Sequence, residues 1–507
     1  FNNRPYAEGE THTETPANFD EALKLIMLSR KSNIPKISIS GSIPGMQKTI
    51  TKCLNDINML INYINIDNKT YRYIAAGLPR YSALFGRDSL ITAMQIYPIY
   101  PEIAKDTLEL LALFQGKSFE DRYKDELSVI MNSNWPESVR NAAIKGLKEQ
   151  YLQREEEEGK IPHELRIGEF PQTGIIPHSP YYGTVDATAL WLILFADYYA
   201  DTKDNAFIEM FLSKASKAVK WIEKNMVDGF LRFSGSCCSK IKIKNQGWKD
   251  AGNSIRHIIG PIGTLTDPSH PIALAEVQGY VYRAFTSMSN LYHELGNDAE
   301  AFRLKNKALK LKEDFNEAFW IEEENFYSMA LDCHNSPVHN VTSNIGHCLA
   351  MGIIDKSRQH LVEEKLMSSE INSGWGLRTL NTTSPAFDPI SYHNGSVWVH
   401  DTVFASLGMT ESSRSEVIKN LFEAANLFED NRLPELFAGF QRKEGDLKIQ
   451  NYPEACAPQA WASGALIWGI FNLLEHRRGH KNIEFNKEKF PSWLDSISVK
   501  YPEVATI

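Results

Sequence analysis

Six short clusters of polar, glycine and aromatic residues recur along the chain, each next to an apolar stretch. They are Phe85-Gly-Arg-Asp-Ser-Leu-Ile91, Tyr181-Tyr-Gly-Thr-Val-Asp-Ala-Thr188 and His270-Pro-Ile-Ala-Leu-Ala-Glu-Val-Gln-Gly-Tyr280. Ser343-Asn-Ile-Gly-His347, Tyr392-His-Asn-Gly-Ser-Val-Trp-Val-His-Asp401 and Cys456-Ala-Pro-Gln-Ala-Trp461 complete the set. Carboxylates beside Arg, His, amides and aromatic rings are the equipment of glycoside hydrolysis. One carboxylic acid protonates the leaving oxygen, and a carboxylate on the other face activates water or attacks directly. Side-chain spacing does not select the pair, because the chain has 63 acidic residues.

Other chemistries lack their motifs. No GxGxxG follows a strand pattern, and there is no P-loop, GxSxG or HExxH. His163-Glu164, His347 and the pair His393 and His400 invite a metal reading, but sugar hydroxyls or core contacts suit them better. Neither a metal nor a cofactor is expected.

Each cluster opens an apolar helix, and a more amphipathic, Lys- and Glu-rich helix follows. The second helices are predicted near 102–115, 204–225, 297–316, 357–369 and 412–428, with a helix over 45–64 as partner of the last inner one. Six helices apolar nearly all round and six with one apolar stripe imply an all-α fold, an (α/α)6 toroid. The six clusters then gather at one end, in one funnel. Each cluster also reads as a plain helix cap, but caps alone do not need Arg, His, Trp and Tyr beside them. Residues 1–44 read as irregular apart from a short amphipathic stretch, Glu21–Leu28, and residues 45–476 as the catalytic domain. Residues 477–507 read as a peripheral tail, and 117–158 as a charged helical insertion whose run Glu155–Glu158 is a solvated surface.

A net charge of −9 argues against nucleic acid, which needs a clustered basic patch. No run of about 18 apolar residues is present, so no membrane span is expected. The six cysteines form no CxxC, and Cys237 and Cys238 are adjacent, so a reduced, cytoplasmic chain is the better reading. The expected partner is an oligosaccharide or glucoside.

From about Ala75 to Leu474 the chain resembles the bacterial amylo-α-1,6-glucosidase family, the C-terminal part of glycogen-debranching enzymes. The matching segments include Ala75-Ala-Gly-Leu-Pro79, Leu84-Phe-Gly-Arg-Asp-Ser-Leu90, Gly159-Lys-Ile-Pro-His-Glu-Leu-Arg166 with Gly168-Glu169, and Asn245-Gln-Gly-Trp-Lys-Asp250. Ser373-Gly-Trp-Gly-Leu-Arg378, Arg432-Leu-Pro-Glu-Leu-Phe437 and most of the clusters above follow in order. Any one is weak; together, in order, they are specific.

The resemblance implies that Asp250 is the general acid and Glu435 the general base of an inverting enzyme. Their carboxyl groups would then stand roughly 6.5–9.5 Å apart, leaving room for water. Trp248 offers an apolar wall that would keep Asp250 protonated. Lys249 would oppose this at close range, so its amine is expected on substrate hydroxyls or another carboxylate. Arg87, Asp88 and Arg378 are candidates for gripping the terminal sugar, or else form structural ion pairs. Asp186, Gln278, His393, Asn394 and His400 are candidate hydroxyl partners, with His163, Glu164 and Arg166 on the same rim. Trp375, Trp398 and Tyr182 are candidates for ring stacking, with core packing as the alternative.

The chain departs from the family where Arg80 stands after Ala-Gly-Leu-Pro, a position often held by Trp, and at Trp398-Val-His-Asp401, where Trp-Pro-His-Asp is usual. These changes bear on substrate choice. The activity implied is release of glucose from α-glucosidic, above all α-1,6, linkages. A hydrolase of a small glucoside or compatible solute, an inactive carbohydrate-binding toroid and an inverting phosphorylase are the alternatives.

Overall fold

A computed structural model describes residues 35–66, 69–166, 179–235, 242–260, 262–478 and 483–501. The stretch Glu21–Leu28, Cys237, Cys238, Gly168 and Glu169 lie outside the described residues. Helices dominate. Twelve of them form pairs; the first six in chain order are α1 (Met46–Leu60), α2 (Gly86–Ile96), α3 (Pro101–Leu113), α4 (Ala187–Thr202), α5 (Asn205–Lys224) and α6 (Ala275–Glu294). The others are α7 (Asp298–Ala318), α8 (Asn344–Met351), α9 (Lys356–Met367), α10 (Val399–Ser406), α11 (Glu411–Ala425) and α12 (Ala460–Leu473).

The even-numbered helices are the ones the six clusters open. Each packs on the next even-numbered helix, and α12 packs on α2. Each also packs on an odd-numbered helix: α3 on α2, α5 on α4, α7 on α6, α9 on α8, α11 on α10 and α1 on α12, with α4 also touching α3 and α12 also touching α11. Sequence explains the division. Helix α4 is apolar nearly all round and buried along most of its length, including Trp191 and Phe195, stacked 4.9 Å apart. Helix α5 buries one stripe, Phe207, Ile208, Phe211, Ala215, Ala218, Val219 and Ile222, at helical spacing. Asp204 caps it, its Oδ1 accepting the Phe207 N–H at 3.1 Å.

Three expectations change. The helix predicted over 45–64 ends at Leu60, and Ile61–Ile66 pairs antiparallel with Lys69–Ile74. The alternating, β-branched Ile61-Asn-Tyr-Ile-Asn-Ile66 favours a strand. The segments read as irregular and peripheral meet: Lys36–Gly41 pairs antiparallel with Leu494–Lys500. The insertion is helical over Phe119–Arg122, Lys124–Asn132 and Glu137–Gln153, but its acidic run is not all solvated. Glu156 is buried against Arg122, and Glu155 accepts the Tyr181 hydroxyl at 2.7 Å.

Candidate active site

Short strands lead into α2, α6 and α10. Leu84–Phe85 pairs with Glu164–Leu165 just before α2, and Val397–Trp398 pairs with Leu436–Phe437 just before α10. Gly86 makes the first approach possible, since a Cβ there would sit 2.1 Å from the Pro162 carbonyl oxygen. The second pairing places Glu435 one residue before a buried strand. Asp250 sits in a loop held from several sides. Asn245 Nδ2 donates to the Ala251 carbonyl at 2.7 Å, the Ala251 N–H donates to His393 Nδ1 at 3.3 Å, and Asn394 Nδ2 donates to the Asn253 carbonyl at 3.1 Å.

Asp250 and Glu435 line one pocket together with Tyr81, Phe85, Arg87, Asp88, Trp248, Tyr392, His393, Trp398 and Trp461. Their environments differ. Glu435 is buried; its Oε1 accepts the Tyr392 hydroxyl at 2.8 Å and its Oε2 the Cys456 N–H at 3.0 Å. The Asp250 side chain is 35% exposed, and Arg87 Nη2 reaches its Oδ2 at 3.4 Å.

Burial raises Glu435 to about 7, opposed by the Cys456 and Tyr392 donors and reinforced by the Asp250 charge. Desolvation by the pocket walls raises Asp250 to about 6, opposed by Arg87 and reinforced by Asp186 and Glu164. Burial also lifts Asp88 to about 7, against the pull of Arg87. The charges of Asp250 and Glu435 both add to the raising of Asp88. Two donors favour a carboxylate at Glu435 and Arg87 favours one at Asp250, in each case against the burial that keeps the proton on.

Arg87 is buried between Asp186, at 2.8 Å, and Asp250. Asp186 is itself fully buried and accepts the Thr184 hydroxyl at 2.6 Å. Trp248 meets His393 and His400 edge-on, and Trp398 stacks on His393. His400 lies below, stacked on Trp461 at 3.7 Å, and burial lowers its pKa well below the usual imidazole value. His163, Glu164 and Arg166 form the adjoining wall: the His163 ring meets Phe85 edge-on, and Arg166 pairs with Glu164 at 2.7 Å over the Phe85 ring.

Other candidates turn away from the pocket. The Tyr182 hydroxyl donates to the Phe114 carbonyl at 2.8 Å, and the Gln278 amide bonds the Leu231 backbone and the Leu274 carbonyl. Arg378 is spent on the carbonyls of Gly439 and Ser369 and on Gln441, and Arg442 stacks on Trp375 at 4.1 Å. Asn394 serves the Asp250 loop. Lys249 points inward, donating to the Thr379 carbonyl. Tyr81, Phe85, Tyr392 and Trp461 line the pocket and are not among the candidates named from the sequence. Tyr392 and Trp461 stand inside quoted clusters, while Tyr81 follows the divergent Arg80 with no signal of its own. Among the described residues, no group of three or more His, Cys, Asp or Glu is arranged to hold a metal. Among them, too, no helix is long and apolar enough to cross a membrane.

Residues 160–468, more than half the chain, match the family model described as amylo-alpha-1,6-glucosidase. The chain belongs to this family. No curated protein matches the sequence. Solved structures share the fold at low identity. A GH63 mannosylglycerate hydrolase from Thermus thermophilus, in complex with glucose, superposes with a TM-score of 0.56 at 13% identity, covering 83% of this chain and 99% of that one. An uncharacterized conserved protein from the same organism gives the same values. A GH78 rhamnosidase of a Bacillus species gives a TM-score of 0.55 at 12% identity over 88% of this chain and 36% of that one. The chain is thus a glycoside hydrolase by family, helix-rich like these neighbours.

Proposed function

We propose that the twelve paired helices form an (α/α)6 toroid over residues 45–476, and that its pocket is the active site of an inverting α-glucosidase. Asp250 is the general acid and Glu435 the general base, with α-1,6-linked glucose as the preferred substrate. The observation that carries this reading is the contrast between two carboxyls in one pocket: Glu435 with two donors, Asp250 beside a shared arginine. Glu435 takes a proton from water as that water attacks the anomeric carbon. Asp250 gives its proton to the departing glycosidic oxygen. Arg87, Asp88, Trp248, His393, Trp398 and Trp461 surround the sugar. The described cysteines, Cys53, Cys333, Cys348 and Cys456, are all free, which supports a cytoplasmic home.

The deciding experiment is an NMR time course on isomaltose, panose, trehalose and a branched limit dextrin with wild type, Asp250→Asn and Glu435→Gln. Release of β-glucose, reduced ~10²-fold or more in both variants, is expected. Release of α-glucose would remove the inverting mechanism, and full activity in either variant would remove that residue's role.

A second reading is a hydrolase of a small glycoside. It is favoured by the compact pocket and by the neighbouring structure of a mannosylglycerate hydrolase in complex with Tris and D-glycerate. Turnover of mannosylglycerate in preference to isomaltose would select it.

A further inference from the structure

The residue before Asp250 is buried under the pocket and tied to elements far away in sequence. The Lys249 ammonium donates to the Thr379 carbonyl and lies 5.2 Å from the Trp248 ring centroid. Its electrostatic partners are Asp401 at the start of α10 and Glu276 at the start of α6. Both are buried, and burial raises Glu276 to about 7 despite the Lys249 charge. His347 of α8 stands 3.0 Å from Asp401, with both side chains fully buried. The neighbouring layer continues around the ring through Asp186 of the α4 cap and Arg87 of α2. The Lys249 ammonium is thus buried, bonded to the Thr379 carbonyl and subject to the charges of acidic groups from two even-numbered helices.

The Asp250 carboxyl itself makes one long contact, 3.4 Å to Arg87. Its aim depends on the two residues that flank it. Ala251 is held by His393, and Lys249 is held by its own side chain. A buried ammonium that has exchanged water for a carbonyl does not shift without leaving its charge without a partner. That makes it a stiff anchor for a loop residue whose proton must meet a leaving oxygen within hydrogen-bond reach.

We infer that Lys249 is a positioning residue for proton donation, fastening the Asp250 loop to the Thr379 carbonyl rather than touching substrate; this rests on Asp250 being the general acid. No bond is made or broken at Lys249.

Leaving-group dependence tests it. Isomaltose needs its leaving oxygen protonated, whereas α-glucosyl fluoride, with a good leaving group, needs little help. Asp250→Asn calibrates the split between the two. Lys249→Met is expected to lower kcat on isomaltose ~10²-fold, the scale of a misplaced catalytic group. Its loss on α-glucosyl fluoride is expected to be about tenfold smaller than that on isomaltose, with KM little moved. Lys249→Met leaves an acidic excess in the core, so Lys249→Met/Glu276→Gln restores charge balance and keeps the measurement possible if the single variant does not fold. The same split in the double variant supports the inference. Equal losses on both substrates, as a general structural defect produces, overturn it, as does full activity on isomaltose. Absence of a split in Asp250→Asn instead removes the acid assignment, and this inference with it.

Discussion

Tyr392 donates its hydroxyl hydrogen to Glu435 Oε1 across 2.8 Å, in a pocket wall where Glu435 is buried and Tyr392 half-buried. The bond stabilises the carboxylate, the form a general base needs. Tyr392→Phe removes it and moves the Glu435 pKa further up. A hydrogen bond to a charged group contributes about 1.5–3 kcal/mol, or roughly one to two pH units. The acidic limb of the kcat/KM profile therefore moves to higher pH. About tenfold lower activity near pH 6 and near-normal activity near pH 8.5 are expected. An unmoved limb would mean that another group sets it.

Arg87 is the shared cation of the site, buried between Asp186 and Asp250. Arg87→Met leaves Asp186 buried without its partner, which typically costs about 3–5 kcal/mol. Urea unfolding should show that loss, and Arg87→Met/Asp186→Asn should recover most of it without recovering activity. Equal stability of the single variant and wild type would show that the pair contributes nothing to the fold.

Much of this was legible in the sequence, for uneven reasons. The even-numbered helices announce themselves because a helix covered on every face must be apolar all round, as Ala187–Thr202 is. The pairing of Lys36–Gly41 with Leu494–Lys500 was hidden by its span of more than 450 residues, although both segments alternate apolar and polar residues. At the site, residue type carried the argument only part-way. Arg378, Gln278 and Tyr182 have the right chemistry for a sugar, yet each satisfies backbone carbonyls instead. Nothing in their types says which way they turn. Asp250 and Glu435 were singled out from 63 acidic residues by resemblance alone.

Gly346 on α8 faces Ala405 on α10, and a Cβ at position 346 would sit 2.2 Å from the Ala405 Cβ. The two helices are neighbours in the ring of even-numbered helices. Gly346→Ala gains about 1 kcal/mol of helix propensity, but overpacking of this kind costs about 1–3 kcal/mol. With backbone on both sides of the contact, the loss is expected to win. A midpoint shift to lower urea is the expected result, and a shift to higher urea would mean that the helices stand further apart than described.

The pocket carboxyls also set how stability depends on pH. Asp88 and Glu435 have folded-state pKa values near 7, above the ordinary carboxyl range, mainly because of burial. Between about pH 4 and 7 the native state binds more protons at these groups than the unfolded chain does. Their contribution to unfolding free energy is thus fully present at low pH and lost as pH rises through 7. Ionising them is the cost of a working site, so a neutral isostere should stabilise while it inactivates. Glu435→Gln is expected to gain about 2 kcal/mol over wild type at pH 8. It should gain little at pH 4, where the wild-type carboxyl is already protonated. Urea melts at the two pH values check this. A Glu435→Gln variant no more stable than wild type at pH 8 would mean that the carboxylate is solvated well enough to ionise without penalty, and the shielded base inferred from its two donors would have to be given up.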